Sequence, residues 1–321
     1  LFVAIVSGCA QPVQGTPTLF LVISTASVTE TIAPKTATPT LTPSATRTRI
    51  PATPTDVPTL PVENARQRLL DLLANNGNCQ LPCLWGITPG KSNYQETRGI
   101  LMPFSSLAEN MSFDLSYPGD YIEPEYIEGD FRLKSTVSYL YDDNGIISRV
   151  HFRVVEQQLS KDEYGNQLAT PIYGSPEFIQ RVEYYSLSHL MSEQGIPTSV
   201  MISRELTYEN NRWSFLINIV VLYPNQGIWA KYTTWMDKNE VGSGIRSCPV
   251  NARIEMNLYP PRNPDSFYAL LDKTDWGVTK VGYKPLEEAT SMSVEQFYET
   301  FRQPIDKCIE SPSDLWPTPE R

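Results

Sequence analysis

Residues 64–74 set Leu69, Leu70, Leu72 and Leu73 among Arg66, Arg68 and Asp71, a spacing that predicts an amphipathic helix stopped by Asn75-Asn76-Gly77. A tight turn holding Cys79 and Cys83 follows, running to Gly90. Ser92 is placed to cap a second helix, with Glu96 near its first turn and Ile100 and Leu101 on its buried face. After a long acidic loop, 117–131, the pattern changes to alternation. It predicts strands at 136–141 and 146–155, joined by Asp142-Asp143-Asn144-Gly145, because Asn-Gly tolerates the positive φ of a hairpin turn.

The same order recurs. Residues 178–194 read as a helix with Val182, Tyr185 and Leu190 inward, ended by Gly195-Ile196-Pro197. Strands are expected at 199–206, 212–222 and 228–236, with Pro224-Asn225-Gln226-Gly227 as a turn, and at 252–258. The odd positions from Trp213 to Val221 are apolar throughout, whereas the even ones are mixed, which predicts that helices cover that side only in part. A last helix, 291–302, carries Val294, Phe297, Tyr298 and Phe301 at helical spacing. The expected fold class is α+β: antiparallel sheet with helices packed on one face, and an internal duplication of a helix-helix-strand-strand-strand unit with halves 63–160 and 175–310.

Before the folded region the chain has another character. Leu1 to Val6 read as the end of an apolar signal segment, and Val6-Ser7-Gly8-Cys9 resembles the lipobox of bacterial lipoproteins. That resemblance implies lipidation of Cys9 and a membrane partner reached through the lipid; stable anchoring takes two acyl chains and no transmembrane helix. No later run reaches the roughly 18 apolar residues of a span. Residues 10–62 are rich in Thr and Pro, cannot bury a core, and form a tether reaching on the order of 150 Å when extended. Residues 311–321 read as a Pro-rich tail. Within the folded region, Leu190-x4-Gly195-x-Pro197-x2-Val200 and Gly86-Ile87-Thr88 entering a helix through Ser92 resemble the helix-helix-three-strand unit of outer-membrane-assembly lipoproteins of the BamE/SmpA type. Secreted β-lactamase-inhibitor proteins are similar in carrying two such units in tandem. The first unit departs from the pattern, with Met102-Pro103-Phe104 where Gly-x-Pro is expected.

Charge narrows the class of partner. The chain has 26 basic and 36 acidic side chains, a net charge of −10, and the excess lies beyond residue 62, because residues 1–62 carry +1. Such a balance argues against nucleic acid as a partner. Two histidines and no metal-ligand spacing give no call for a metal or other cofactor. Four cysteines outside the lipobox allow three connectivities. The favoured one pairs Cys79 with Cys83 and Cys248 with Cys308, the second closing about 60 residues for a stabilisation of roughly 4 kcal/mol in the loop-entropy account. A zinc or redox site is the rival, but Cys-x3-Cys has the spacing of neither.

Candidate binding residues fall in three groups. Asp120, Glu123, Glu125, Glu128 and Asp130 crowd the acidic loop, where carboxylates bind calcium, dock a basic partner, or simply face solvent. Arg149, His151 and Arg153 share one strand face by period two, as an anion or partner site or a solvated sheet side. Trp229 and Trp235 share a face with Lys231 and Thr233, as an aromatic platform or as core. No Gly-x-Ser-x-Gly elbow is present, and Gly242-Ser243-Gly244 lacks the rest of a phosphate loop. No catalytic residues are assigned. The expected function is a membrane-anchored extracytoplasmic lipoprotein, at the cell surface or facing the periplasm, acting as a binding or assembly module for a protein or glycan partner. The alternatives are an inhibitor of a protein target and a hydrolase acting on envelope polymers through paired carboxylates.

Overall fold

The chain divides into two units, Leu1–Pro54 and Thr55–Arg321. A computed structural model describes residues 58–112, 119–172, 175–209, 212–237, 245–249, 252–273, 282–303 and 307–316, all in the second unit. Cys9, the tether up to residue 57, Gly242-Ser243-Gly244 and residues 317–321 lie outside the described residues.

Helix α1 (Val62–Asn75) buries Ala65, Leu69, Leu72 and Leu73 and ends at Asn76, whose φ of 52° is the left-handed cap. Helix α2 (Tyr94–Leu101) is capped by Asn93, one residue beyond the expected Ser92. Asn93 Oδ1 accepts from the Glu96 amide while Glu96 Oε2 accepts from the Asn93 amide, a reciprocal capping box. Ser92 Oγ is occupied in the preceding turn, accepting from the Thr88 amide. The expected helix 178–194 is two helices, α3 (Pro176–Arg181) and α4 (Leu187–Gln194), with a single helical turn between them. Ser186 is extended and its hydroxyl caps α4, so the local cap wins over continuous helix.

Twelve strands are described. They are β1 (Ala108–Ser112), β2 (Gly119–Glu128), β3 (Phe131–Tyr141), β4 (Ile147–Lys161), β5 (Gln167–Ile172), β6 (Ser199–Glu209) and β7 (Arg212–Tyr223). After them come β8 (Ile228–Asp237), β9 (Ile245–Ser247), β10 (Arg253–Leu258), β11 (Tyr283–Pro285) and β12 (Ile309–Ser311). The acidic segment expected as a loop is therefore largely strand β2. Its Ile122, Pro124 and Tyr126 alternate toward the core, a period-two signal hidden by the carboxylates between them. The β3–β4 turn forms where expected but differs in detail: only Gly145 has positive φ, and Asp142 Oδ1 accepts from the amides of Asn144 and Ile146. The β4–β5 turn repeats the device with Asp162 and Gly165.

The main sheet is antiparallel, ten-stranded, in the order β1-β2-β3-β4-β10-β8-β7-β6-β11, with β5 paired to the far half of β4; β9 and β12 form a separate pair. Strand β10 bonds β4 on one side and β8 on the other, both antiparallel, so β4 and β8 run parallel to each other. Each meander runs from edge to centre with its helices on the same sheet face. The meanders β1-β2-β3-β4 and β6-β7-β8-β10 meet at the antiparallel β4–β10 pair, so their strand order and directions are those a two-fold axis normal to the sheet would relate. The order of elements recurs as expected, and topology alone does not establish a duplication of the unit.

Most of the core lies between one sheet face and α1–α4, α6 (Leu286–Ala289) and α7 (Val294–Phe301). At its centre Trp85 packs against Phe104 and Phe152. Its Nε1 donates to the Tyr185 hydroxyl at 2.9 Å, and that hydroxyl lies 2.9 Å from Leu72 O and 3.1 Å from Asn76 Oδ1. Asn76, fully buried, donates to the carbonyls of Cys79 and Cys83 and accepts from the Trp85 amide. One helix departs from the expected one-sided cover. Helix α5 (Pro264–Lys273) lies on the opposite face, where Phe267 and Leu271 close a second cluster over Val220, Leu222 and Trp229. The mixed even face of β7 is what makes this possible. The end of the chain is also less tail-like than expected: Trp316 is buried and donates to Ser311 Oγ, which donates to Ala289 O.

Disulfides join Cys79 to Cys83 and Cys248 to Cys308. The first closes the turn that Asn76 organises, and the second sits beside the β9–β12 pair. Two such bonds fit an oxidising, extracytoplasmic environment. Among the described residues no helix is long and apolar enough to cross a membrane.

Candidate functional site

Strand alternation sorts the candidate residues. On β4, Val150, Phe152 and Val154 enter the helix-side core, so Arg149, His151 and Arg153 stand on the other face. The register then sets Glu255 and Asn257 of β10, Trp229, Lys231, Thr233 and Trp235 of β8, and Glu123 and Glu125 of β2 on that same face, helix-free except where α5 lies over Val220, Leu222 and Trp229. Seven of the ten candidates are thus brought together by topology, from three segments far apart in sequence.

A chain of polar contacts crosses four strands at the middle of this face. Ser138 Oγ of β3 lies 3.3 Å from His151 Nδ1, His151 Nε2 lies 3.4 Å from Glu255 Oε1, and Lys231 Nζ lies 2.9 Å from Glu255 Oε2. Glu255 is 3% exposed. Burial pushes its carboxyl up, but the hydrogen bond from His151 and the Lys231 ammonium outweigh that and hold it at about 2. Parallel rows repeat the scheme. Lys134 pairs with Glu123 at 3.0 Å, and Glu123 also accepts from Asn110 and Thr136. Arg132 reaches Glu125 Oε2 at 3.4 Å and donates through Nε to Gln157. Asn218 donates to Ser203 Oγ and accepts from Thr233 Oγ1. Desolvation raises Glu123, yet the bonds from Lys134 and Asn110 leave its carboxyl below the usual range.

Asp120, Glu128 and Asp130 go elsewhere, and Trp229 is covered. Asp120 points to the helix side, is 1% exposed, and accepts from the Tyr139 hydroxyl at 3.1 Å, so it is a core group rather than a surface ligand. Burial and then the Asp120 charge push the Tyr139 phenol far up. Glu128 and Asp130 sit at the β2–β3 hairpin, where Arg181 of α3 bonds Glu128 Oε2 at 2.7 Å and lowers its carboxyl. Trp229 is 2% exposed beneath α5, which removes it from any exposed aromatic platform; Trp235 is half-buried farther along the strand. His189 stacks on Tyr184 at 4.5 Å between ring centres.

Sequence reasoning missed Glu255 as the hub. The signal was present in Ile254-Glu255-Met256-Asn257-Leu258, where two polar residues alternate with three apolar ones in a central strand. Glu156 was also missed; it lies past the expected strand end, on a strand that runs six residues farther.

No family model matches this chain, and neither any curated protein nor any solved structure matches it.

Proposed function

We propose that this chain is an extracytoplasmic binding module, held at a membrane by lipid on Cys9 and the Thr/Pro-rich tether, and that its helix-free sheet face is the surface offered to a partner. One observation carries the reading. On a protein of net charge −10, the described residues of this face set Arg132, Lys134, Arg149, Arg153, Lys231 and Arg253 against Glu123, Glu125, Glu205 and Glu255. A locally cationic, hydrogen-bond-rich surface on an acidic molecule orients a partner bearing carboxylates, phosphates or hydroxyls and repels surfaces that are themselves cationic.

Site-specific photocrosslinking in envelope preparations tests this. Crosslinkers at Tyr121 and Thr136, on the helix-free face, are expected to trap one stoichiometric product that a crosslinker at Gln67 of α1 does not. Equal labelling from all three positions, or no product, would overturn it. For the anchor, incorporation of an alkyne-tagged fatty acid is expected in the full chain and lost in Cys9→Ala; labelling retained in the variant would rule out Cys9.

A further inference from the structure

Away from the helix-free face, at the far end of the helix side, the β2–β3 hairpin meets the start of α3 around a cavity of about 460 Å³. It is lined by Glu128, Asp130, Phe131, Glu156, Glu177 and Arg181, with Gly129. Four of these are carboxylates. Arg181 is already engaged, bonded to Glu128 and stacked over Tyr126 at 5.3 Å, which leaves the charge of Asp130, Glu156 and Glu177 in excess.

Glu156 is the telling member. It is 4% exposed, its Oε1 accepts from the Ser175 hydroxyl at 2.9 Å, and its Oε2 has no hydrogen-bond partner in the protein. A buried carboxylate oxygen without a donor is costly to desolvate, so a donor supplied from outside would be strongly favoured. Burial accordingly raises the Glu156 carboxyl, with Glu177 adding to the rise and Ser175 and Arg181 opposing it. Phe131, 43% exposed, gives the cavity an apolar wall. Among the described residues no three acidic, His or Cys side chains converge closely enough to hold a metal ion. The cavity volume and its aromatic wall suit a larger cation with a hydrocarbon stem.

We infer that this cavity binds an aliphatic primary ammonium group, the head entering between Glu156 and Glu177 and the stem lying on Phe131. Such a group comes from two sources, a free polyamine or a lysine side chain of a partner. The site is independent of the helix-free face.

Calorimetric titration of the full chain with cadaverine, and separately with an acetylated, amidated pentapeptide holding one central lysine, tests this. Saturable one-to-one binding of at least one probe is expected, weakened at least tenfold by Glu156→Gln and at least threefold by Phe131→Ala, and unchanged by Glu63→Gln on α1. Tighter binding of cadaverine assigns the site to polyamines; tighter binding of the peptide assigns it to a partner's lysine. Binding should also strengthen as pH rises through the Glu156 titration, because the cation needs its ionised form; the charged and titratable groups facing it are Glu128, Asp130, Glu177 and Arg181. Failure of both probes to saturate, or binding unaltered in a folded Glu156→Gln chain, would overturn the inference. Calcium binding to the same residues more tightly than either amine would overturn it too.

Discussion

Phe152 and Arg153 are neighbours on β4, yet they belong to two different kinds of surface. Phe152 points to the helix side, is fully buried and touches Trp85 and Tyr185. Arg153 points to the other side, into rows of cross-strand charge pairs centred on Glu255. Both faces of β10 are buried, so burial alone does not distinguish them. On the helix side, apolar area leaves water and the few polar groups, such as Asn76 and Tyr185, are locked in one network. On the helix-free side, charges are partly desolvated in pairs, which contributes little net stability but fixes a pattern of donors and acceptors. One side holds the fold together, and the other is the side proposed to meet a partner.

The contrast can be broken most severely at Phe152. Phe152→Ala should cost about 4 kcal/mol in chemical denaturation, against less than about 1 kcal/mol for Arg153→Ala; similar values for both would erase the distinction between the faces. Next in size is Glu255→Gln, which leaves Lys231 without its counter-charge and His151 without its carboxylate partner and should cost about 3 kcal/mol at neutral pH. The carboxyl of Glu255 is depressed in the fold. Its contribution is therefore complete above the unfolded value near 4.5 and is lost as pH falls toward 2. Stability measured from pH 6 to 2 should thus show the wild-type and Glu255→Gln curves converging, and parallel curves would refute the assignment. Asn76→Ala should cost about 2 kcal/mol, since it orphans two carbonyls and the Trp85 amide in a partly buried turn. Smallest is Lys134→Ala at about 0.5 kcal/mol, fading further as salt is raised. A loss above 2 kcal/mol there would mean that the helix-free face is structural after all.

Much of this could be read along the chain. Leucine spacing located α1, the helical spacing of Val294, Phe297, Tyr298 and Phe301 located α7, and alternation located β4, β7, β8 and β10, because each buried face has its own period. The cysteine pairing followed from a short turn and the remaining two residues. Strand β2 was hidden because the outward positions Tyr121, Glu123 and Glu125, with Asp120 and Glu128 beside them, give the segment the acidity of a loop. Helix α5 was hidden because nothing local says that the even face of β7 needs a cover. For the site, Arg149, His151 and Arg153 were correctly grouped and Trp229 took the core alternative of its two, whereas Asp120 was misread as part of an exposed loop, since parity along one strand does not tell which face a neighbouring helix will occupy.

Sequence by itself determined the elements, the turns and the separation of a Thr/Pro-rich segment from a foldable one, because these depend on backbone propensity and periodicity within a few residues. Tertiary structure alone decided that β10, last of the central strands to be made, enters between β4 and β8. That insertion places Glu255 within reach of Lys231 and His151 and joins the two meanders through the antiparallel β4–β10 pair. Pairing across a sheet depends on register between segments a hundred residues apart, and no local pattern encodes that distance.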